Sequence, residues 1–484
     1  MKSKQTIYIE EIKNWFEGSS DIVTKNRTYT ETANHSLEFL YCPNLVDMKY
    51  MNEVIFPNIN AVMGKEAHFN IDLLSNVLEI SKLKDGKNIK AEVEQKLFSG
   101  ELVIFSHEIN DLYFISVANV PKRSPEESNL ETSVRGPRDG FVENISDNMA
   151  LIRQRLKTSS LKSTEFTIGE RSGSKLLLLY LDDIINPSIL ADVTKRLKSI
   201  KIDAVISSYQ IEEFLYDNPF SLFPLIDYIG RPDFVVNSLT QGRFVILVDG
   251  NPTCLIGPTN LNQILYSPED ANDSFYYISM MRILRIFAVF VTIFLPGLYI
   301  ALVTFHPDQI PYSLVATISV SRIGLPLSAP VEVVFMLVLF ELFKEAGVRL
   351  PKTVGQTVAV LGGLFIGDAA IRAGITSPSC LVVIAITVIA GYTLINQNMA
   401  GNLVLLRFIV LVFSSILGLF GFFMSFFLLL VYVVSLESFG QPYISFLSKP
   451  NKADIIKNFL KLPYRLLKKR NQSYSPIDGD SQKE

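Results

Sequence analysis

The stretch from Ile283 to Ser435 holds several apolar runs long enough to cross a bilayer, and this sets the fold class before any other feature does. Ile286 to Thr304 is 19 residues without a charge, close to the about 20 that a helix needs to span roughly 30 Å of hydrocarbon. Ser377 to Ile395 is a second clean run, and Phe408 to Ser435 a third that exceeds one span. Between them, Thr353 to Ile371 is Gly-rich and carries Asp368. These runs predict four spans, at 283–304, 353–372, 377–395 and 406–434. The segment from Ile310 to Lys344 stays open between a re-entrant piece and two further short spans, because Glu332, Glu341 and Glu345 interrupt it. Arg282 and Arg285 before the first span, and the basic run Lys457 to Arg470 after the last, place both flanks on the cytoplasmic side. An even number of crossings follows.

About 280 of the 484 residues precede the first span, enough for two soluble domains. A formal net charge of −3 argues against a nucleic-acid partner, which calls for a concentrated basic surface. Cys42, Cys254 and Cys380 stand far apart without metal-ligand spacing, which fits a reduced, cytosolic soluble part. No secretory signal is expected, since Glu10, Glu11 and Lys13 break the N-terminal stretch before an apolar core develops.

Two parts of the soluble half look like copies. Leu37 to Val46 followed by MKYMNEVIFPNI parallels Leu177 to Ile185 followed by NPSILADVTKRLKSI, and Val93 to Pro121 parallels Val235 to Asn260. The offset is nearly constant: 139 positions from Tyr41 to Tyr180 and 142 from Gly100 to Gly242. Each copy reads as an apolar strand, an amphipathic helix, and a second helix ending at a glycine that turns into a strand hairpin. Gly100 and Gly242 suit the helix-end position that wants a left-handed residue. The expected architecture is α+β/α-helical membrane: two similar cytosolic α/β subdomains, 1–125 and 126–280, then a multipass helical membrane domain over 281–436. A basic cytosolic tail, 437–484, closes the chain, with a disordered end.

Between the copies, Val134 to Lys157 crowds Arg135, Arg138, Arg153 and Arg155 around a turn at Gly136 and Pro137. Asn144 or Ser146 can cap the helix that follows. The arginines suit either an anion site or a clasp that joins the two copies or neighbouring subunits. No phosphate loop, metal-binding His/Glu helix or nucleophile elbow is present, and the four histidines are scattered singly. Catalysis, cofactors and metals are therefore not expected. On a helical wheel of the Gly-rich span, Gly355, Ala359, Gly362 and Gly363 form a small-residue packing face. Thr357, Leu361, Leu364 and Asp368 fall opposite, as a pore-lining stripe in a ring of helices requires. The alternative is that Asp368 lies near the interface and pairs with Arg372 four residues on.

The motifs VRGPRDGFVENISDNMALIRQR, RPDFVVNSLTQGRFVILVDGNP, SPED, MRILR, LPGLYIALVTFHPDQIP, ELFKEAGVRLPKTVGQTVAVLGGLFIGDAAI and SFGQPY occur in that order. In them the chain resembles the A subunits of the GerA-type spore germinant receptors. It departs at Gly367, Asp368, Ala369 and Ala370, where the family usually has Gly-Gln-Ala-Ala, and at Leu325 to Ser328, where it often has Pro-Phe-Pro-Pro. The resemblance implies a multipass protein of the spore inner membrane, and membrane lipid is an expected partner. It also implies a permease-like B subunit and a lipoprotein C subunit as partners, a homo-oligomeric, channel-like assembly, and ion release in response to nutrients. An A-type paralogue outside a nutrient receptor, a secondary transporter and a scaffold are the competing readings.

Overall fold

Strands buried on both faces read as near-continuous apolar runs, and LEFLY, ELVIFS, LLLLYL and FVILV are runs of that kind. In the computed structural model all four are inner strands of two five-stranded sheets. The structure describes residues 9–28, 36–63, 74–75, 78–83, 89–107, 109, 111–119, 135–349, 367–444 and 452–481. The first sheet comprises β1 (Val23–Thr28), β2 (Ser36–Tyr41), β3 (Ile80–Lys82), β4 (Glu101–Ser106) and β5 (Asp111–Ser116), in the order β1-β2-β4-β5-β3. The second comprises β6 (Leu161–Ile168), β7 (Ser174–Leu181), β8 (Asp227–Ile229), β9 (Phe244–Val248) and β10 (Cys254–Gly257), in the equivalent order β6-β7-β9-β10-β8. Neighbouring strands are antiparallel throughout both sheets. Each unit is thus helices laid on a sheet whose strands, among the described residues, pair antiparallel.

Helices cover both faces of each sheet. In the first, α2 (Phe56–Met63) packs Ile59 and Met63 against Leu37, Phe39 and Ile104. On the opposite face, Ile12 of α1 (Ile9–Trp15) and Val93 and Leu97 of α3 (Ile89–Leu97) meet Leu40, Val103 and Phe114. In the second, α4 (Ile145–Arg155) and α7 (Pro232–Thr240) cover Leu177, Leu179 and Leu247. There α5 (Pro187–Ser199) and α6 (Ser208–Leu215) cover Leu176, Leu178 and Ile246 on the other face. Alternate strand residues go to opposite faces, as the two-residue pleat requires. Gly100 and Gly242 follow α3 and α7 with φ of +87° and +85°, the left-handed helix end that both sequences anticipate.

The apolar half is a helix bundle beside the second sheet. It comprises α8 (Phe275–Ile300, continued by Ala301–Phe305), α9 (Tyr312–Ser321), α10 (Ala329–Val348), α11 (Pro378–Tyr392) and α12 (Gln397–Ser435). Among the described residues, Phe275–Phe305 and Asn398–Ser435 are long and apolar enough to cross a membrane. The span expected at 406–434 is not one straight helix. Gly418 has φ 61° and ψ −138°, a region open essentially to glycine alone, and beyond it Gly421 lies against the carbonyl of Phe413. In an unbroken helix, residues eight apart stand about 12 Å apart, so the chain reverses at Gly418. The two limbs return to one place: Asn396, which caps the first, donates to Asp227 at 2.9 Å, and Ser438, just past the second, donates to the Leu225 carbonyl at 2.7 Å. Phe290 and Phe294 of α8 stack on Phe422 and Phe426 of the returning limb. The expected span at 353–372 lies outside the described residues up to 366, and residues 367–372 are helical.

The tail also departs from expectation. Residues 471–481 pack on the second sheet unit, where Tyr474 is 1% exposed, Ile477 N donates to the Ile184 carbonyl at 2.9 Å and Arg470 Nε donates to the Thr240 carbonyl at 2.8 Å. A polar, charged composition pointed to disorder. The buried Tyr474 ring and the hydrogen bonds to Ile184, Thr240 and Gln241 hold the segment.

Candidate functional site

The second sheet unit meets the helix bundle in a collar of buried ion pairs, built from motifs that stand far apart in the sequence. Ser267 caps a short helical turn that presents Glu269 and Asp270 on one loop. Glu269 accepts from Arg231 at the start of α7. Asp270, 4% exposed, accepts from both terminal nitrogens of Arg285 at 2.9 and 3.0 Å, the two-pronged geometry that a guanidinium offers a carboxylate. Arg282 adds a third contact at 3.4 Å. Arg282 and Arg285 therefore bind the loop after β10 to α8. At the other edge, Phe439 stacks on Phe244 with ring centres 4.9 Å apart and its amide donates to Asp217 at 2.6 Å. Asp227, the first residue of β8, accepts from Asn396, the cap of α12. Burial pushes its carboxyl up, while Arg243 and the Asn396 amide act against that rise.

Two further charge pairs lie inside the bundle. Glu332, fully buried in the first turn of α10, accepts from Arg322 at 2.6 Å, from the Ser377 amide at 2.6 Å and hydroxyl at 2.7 Å, and from Thr376 at 3.0 Å. Ser377 in turn caps α11, so one carboxylate joins α10, α11 and the turn after α9. Lower on the same helix, Glu341 accepts from the buried Arg407 of α12 at 2.8 Å. Glu332 and Glu341 had read only as interruptions of an apolar segment. Their spacing from Arg322 and Arg407 carried no local signal of pairing.

The residues singled out as a pore stripe are placed in part. Thr357, Leu361 and Leu364, and the packing positions Gly355, Ala359, Gly362 and Gly363, lie outside the described residues. Asp368 is described: it pairs with Arg372 at 2.8 Å, with 57% and 79% of the two side chains exposed. The four arginines do not form one anion site. Arg153 is fully buried and holds Asp21 at 2.7 and 2.9 Å. Its remaining donors reach the Thr158 and Leu161 carbonyls, and it lies over the Phe98 ring. Burial alone raises the Asp21 carboxyl, but the charge and hydrogen bonds of Arg153, with the Ser163 hydroxyl, hold it below the usual carboxylate range. Asp21 precedes β1 and Arg153 lies in α4, so the pair ties the first unit to the second. Arg155 bonds Asp139 at 2.5 Å. Arg135 reaches Glu269 through its amide and Asp273 through its side chain at 3.5 Å, and Arg138 is exposed. Among the described residues no group of three His, Cys, Asp or Glu is arranged to hold a metal ion.

The chain matches the family described as Bacillus/Clostridium GerA spore germination protein over residues 10–473. It is 42% identical to Spore germination protein XA of Bacillus anthracis over 99% of this chain and 98% of that protein. It is 34% identical to the uncharacterized membrane protein YfkQ of Bacillus subtilis (strain 168), over 96% of this chain and 90% of that one. Among solved structures, the N-terminal domain of the A subunit of the Bacillus megaterium spore germinant receptor GerK3 aligns at 23% identity and a TM-score of 0.40, covering 52% of this chain and 92% of that one.

Proposed function

Because the chain belongs to the GerA spore germination protein family and so has a role in germination, we propose that it is the A subunit of a germinant receptor and contributes a gated ion path. In this reading the helices from 275 to 435 cross the spore inner membrane an even number of times, and the sheets and tail lie on the cytosolic side. Copies of the chain assemble through the helix bundle, beside a permease-like B subunit and a lipoprotein C subunit. The observation that supports the ion path is that Asp368 keeps 57% of its side chain exposed on a bundle that also exposes large apolar side chains such as Phe287, Phe420 and Val431; its pairing with Arg372 is what a position near the membrane interface also gives, and flux through Asp368→Asn separates the two. Charged groups at membrane depth face water or other protein, since lipid solvates them poorly. In this reading a ring of copies would turn Asp368, and with it the expected stripe of Thr357, Leu361 and Leu364, toward a shared lumen.

The collar supports the coupling half of the reading. Movement of the second sheet unit pulls on α8 through Arg285 and on α12 through Asn396, so a signal received by the soluble part has a stiff route into the bundle. Spores lacking the gene, tested against a panel of nutrients, check the role. The expected result is loss of response to at least one nutrient, with delayed cation release. Unchanged germination and ion release with every nutrient would contradict it. A carrier, the main competing class, would show saturable substrate uptake in liposomes in place of passive cation flux.

A further inference from the structure

The segment Lys452 to Arg470 carries seven Lys or Arg against a single aspartate, and it is held beside the start of α8. Tyr266 donates to the Asn458 carbonyl at 2.9 Å. Lys461 donates to the carbonyls of Asp270, Ala271 and Asp273 at 2.5, 3.1 and 2.9 Å, and its amide donates to Ser279 at 3.0 Å. These bonds fix one side of the segment to the collar. Tyr464, although 59% exposed, also donates to the Ala271 carbonyl at 3.1 Å. Ile456, Leu460 and Leu466 are between 37% and 65% exposed, with Arg465 and Lys469 exposed among them. Tyr276, Tyr277, Met280 and Ile283 in the opening turns of α8 are likewise exposed.

Aromatic rings at the end of an apolar helix suit the headgroup level of a bilayer. An adjoining segment with apolar side chains and Lys or Arg suits the boundary with anionic lipid. Resting on the reading that α8 crosses a bilayer, we infer that Ile456 to Lys469 forms an interfacial anchor for the anionic lipid surface on the side of the sheets. The charge selects that partner. A water-facing tail gains nothing from three large exposed apolar side chains, and a neutral lipid surface gains little from the basic ones.

The test uses the full chain in lipid nanodiscs, with a fluorophore on Leu466→Cys; Cys42, Cys254 and Cys380 are buried. Headgroup-nitroxide lipid should quench this label several-fold more in discs containing phosphatidylglycerol than in pure phosphatidylcholine. Raised salt should weaken the difference, and the pair Arg465→Glu and Lys469→Glu should abolish it. A label on Ile409→Cys, an exposed apolar position of α12, should be quenched by acyl-chain nitroxide whatever the headgroup. If Ile409→Cys is quenched and Leu466→Cys is not, the tail faces water or a protein and the inference is overturned, while the membrane reading stands. If neither is quenched, both fall. Equal quenching at Lys201→Cys, exposed on the second sheet unit, would also overturn it.

Discussion

A buried ion pair contributes little over an apolar pair of the same shape, yet removing one partner costs about 3 to 5 kcal/mol because the other charge is stranded. Arg153 and Asp21 are in that position: both side chains are at most 2% exposed, and they join the two sheet units. Arg153→Ala should therefore lower the abundance of the protein in membranes and its thermal midpoint. Arg153→Lys should restore only part of the loss, since an ammonium cannot make the two-pronged contact. Normal abundance with a shifted nutrient dose response would instead make Arg153 a ligand-sensing residue. Glu212 offers a test by pH. Burial raises its carboxyl to about 7, against a hydrogen bond from Tyr216 that lowers it. The folded chain then keeps the proton where the unfolded chain has lost it. Stability from this group is full below the ordinary glutamate range and falls as pH rises toward 7, by about 2 to 3 kcal/mol. In Glu212→Gln the decline in thermal midpoint between pH 5 and 8 should shrink. An unchanged pH profile would contradict this account of Glu212. At this scale, local chemistry was legible: Asn144 caps α4, accepting from the Ser146 amide at 2.9 Å, one of the two caps anticipated. The partner of Arg153 was not, because Asp21 lies 132 positions away and nothing near either residue signals the other.

Elements were readable where a pattern repeats. The inner strands and the glycines closing α3 and α7 recur at a near-constant offset, so one sheet order serves both units. The outer strands β3 and β8, three residues each, were too short to show an alternation. Helix α12 failed for a different reason. Within an apolar run, a glycine costs only about 1 kcal/mol against alanine, so Gly418 gave no sign of a reversal. The turn is set from outside the run: a Cβ at Gly418 would meet the Phe305 side chain at 3.0 Å and His306 at 3.1 Å. Gly418→Ala should cost about 1 to 3 kcal/mol from backbone strain alone, with the crowding against Phe305 adding to it. Immunoblots of spore membranes should show reduced protein. Wild-type levels would mean that the limbs do not need this reversal. The tail beyond Arg470 was misread because composition speaks to average solvation, while a buried ring such as Tyr474 and a few hydrogen bonds can dock a polar segment.

For the whole molecule, the two halves of the chain differ in how they hold together, and the collar is where they meet. The sheets are stabilised by apolar cores on both faces. The bundle adds the Glu332–Arg322 and Glu341–Arg407 pairs, which fix its helices relative to one another at two levels. Arg285 and Asn396 then transmit the position of the second sheet unit to α8 and α12. The central claim is that this protein, in an oligomer, gates ions along the proposed stripe of Leu361, Leu364 and Asp368. Apolar side chains at a constriction gate by excluding water, and a carboxylate at its mouth favours cations. The most direct measurement follows cation release from spores carrying Leu361→Ala, beside immunoblots of the same membranes and an Asp368→Asn control. The account predicts a leak without nutrient at normal protein level for Leu361→Ala, and reduced flux with intact assembly for Asp368→Asn. Low protein and no leak at Leu361→Ala, the result of losing about 2 to 5 kcal/mol of buried packing, would contradict it.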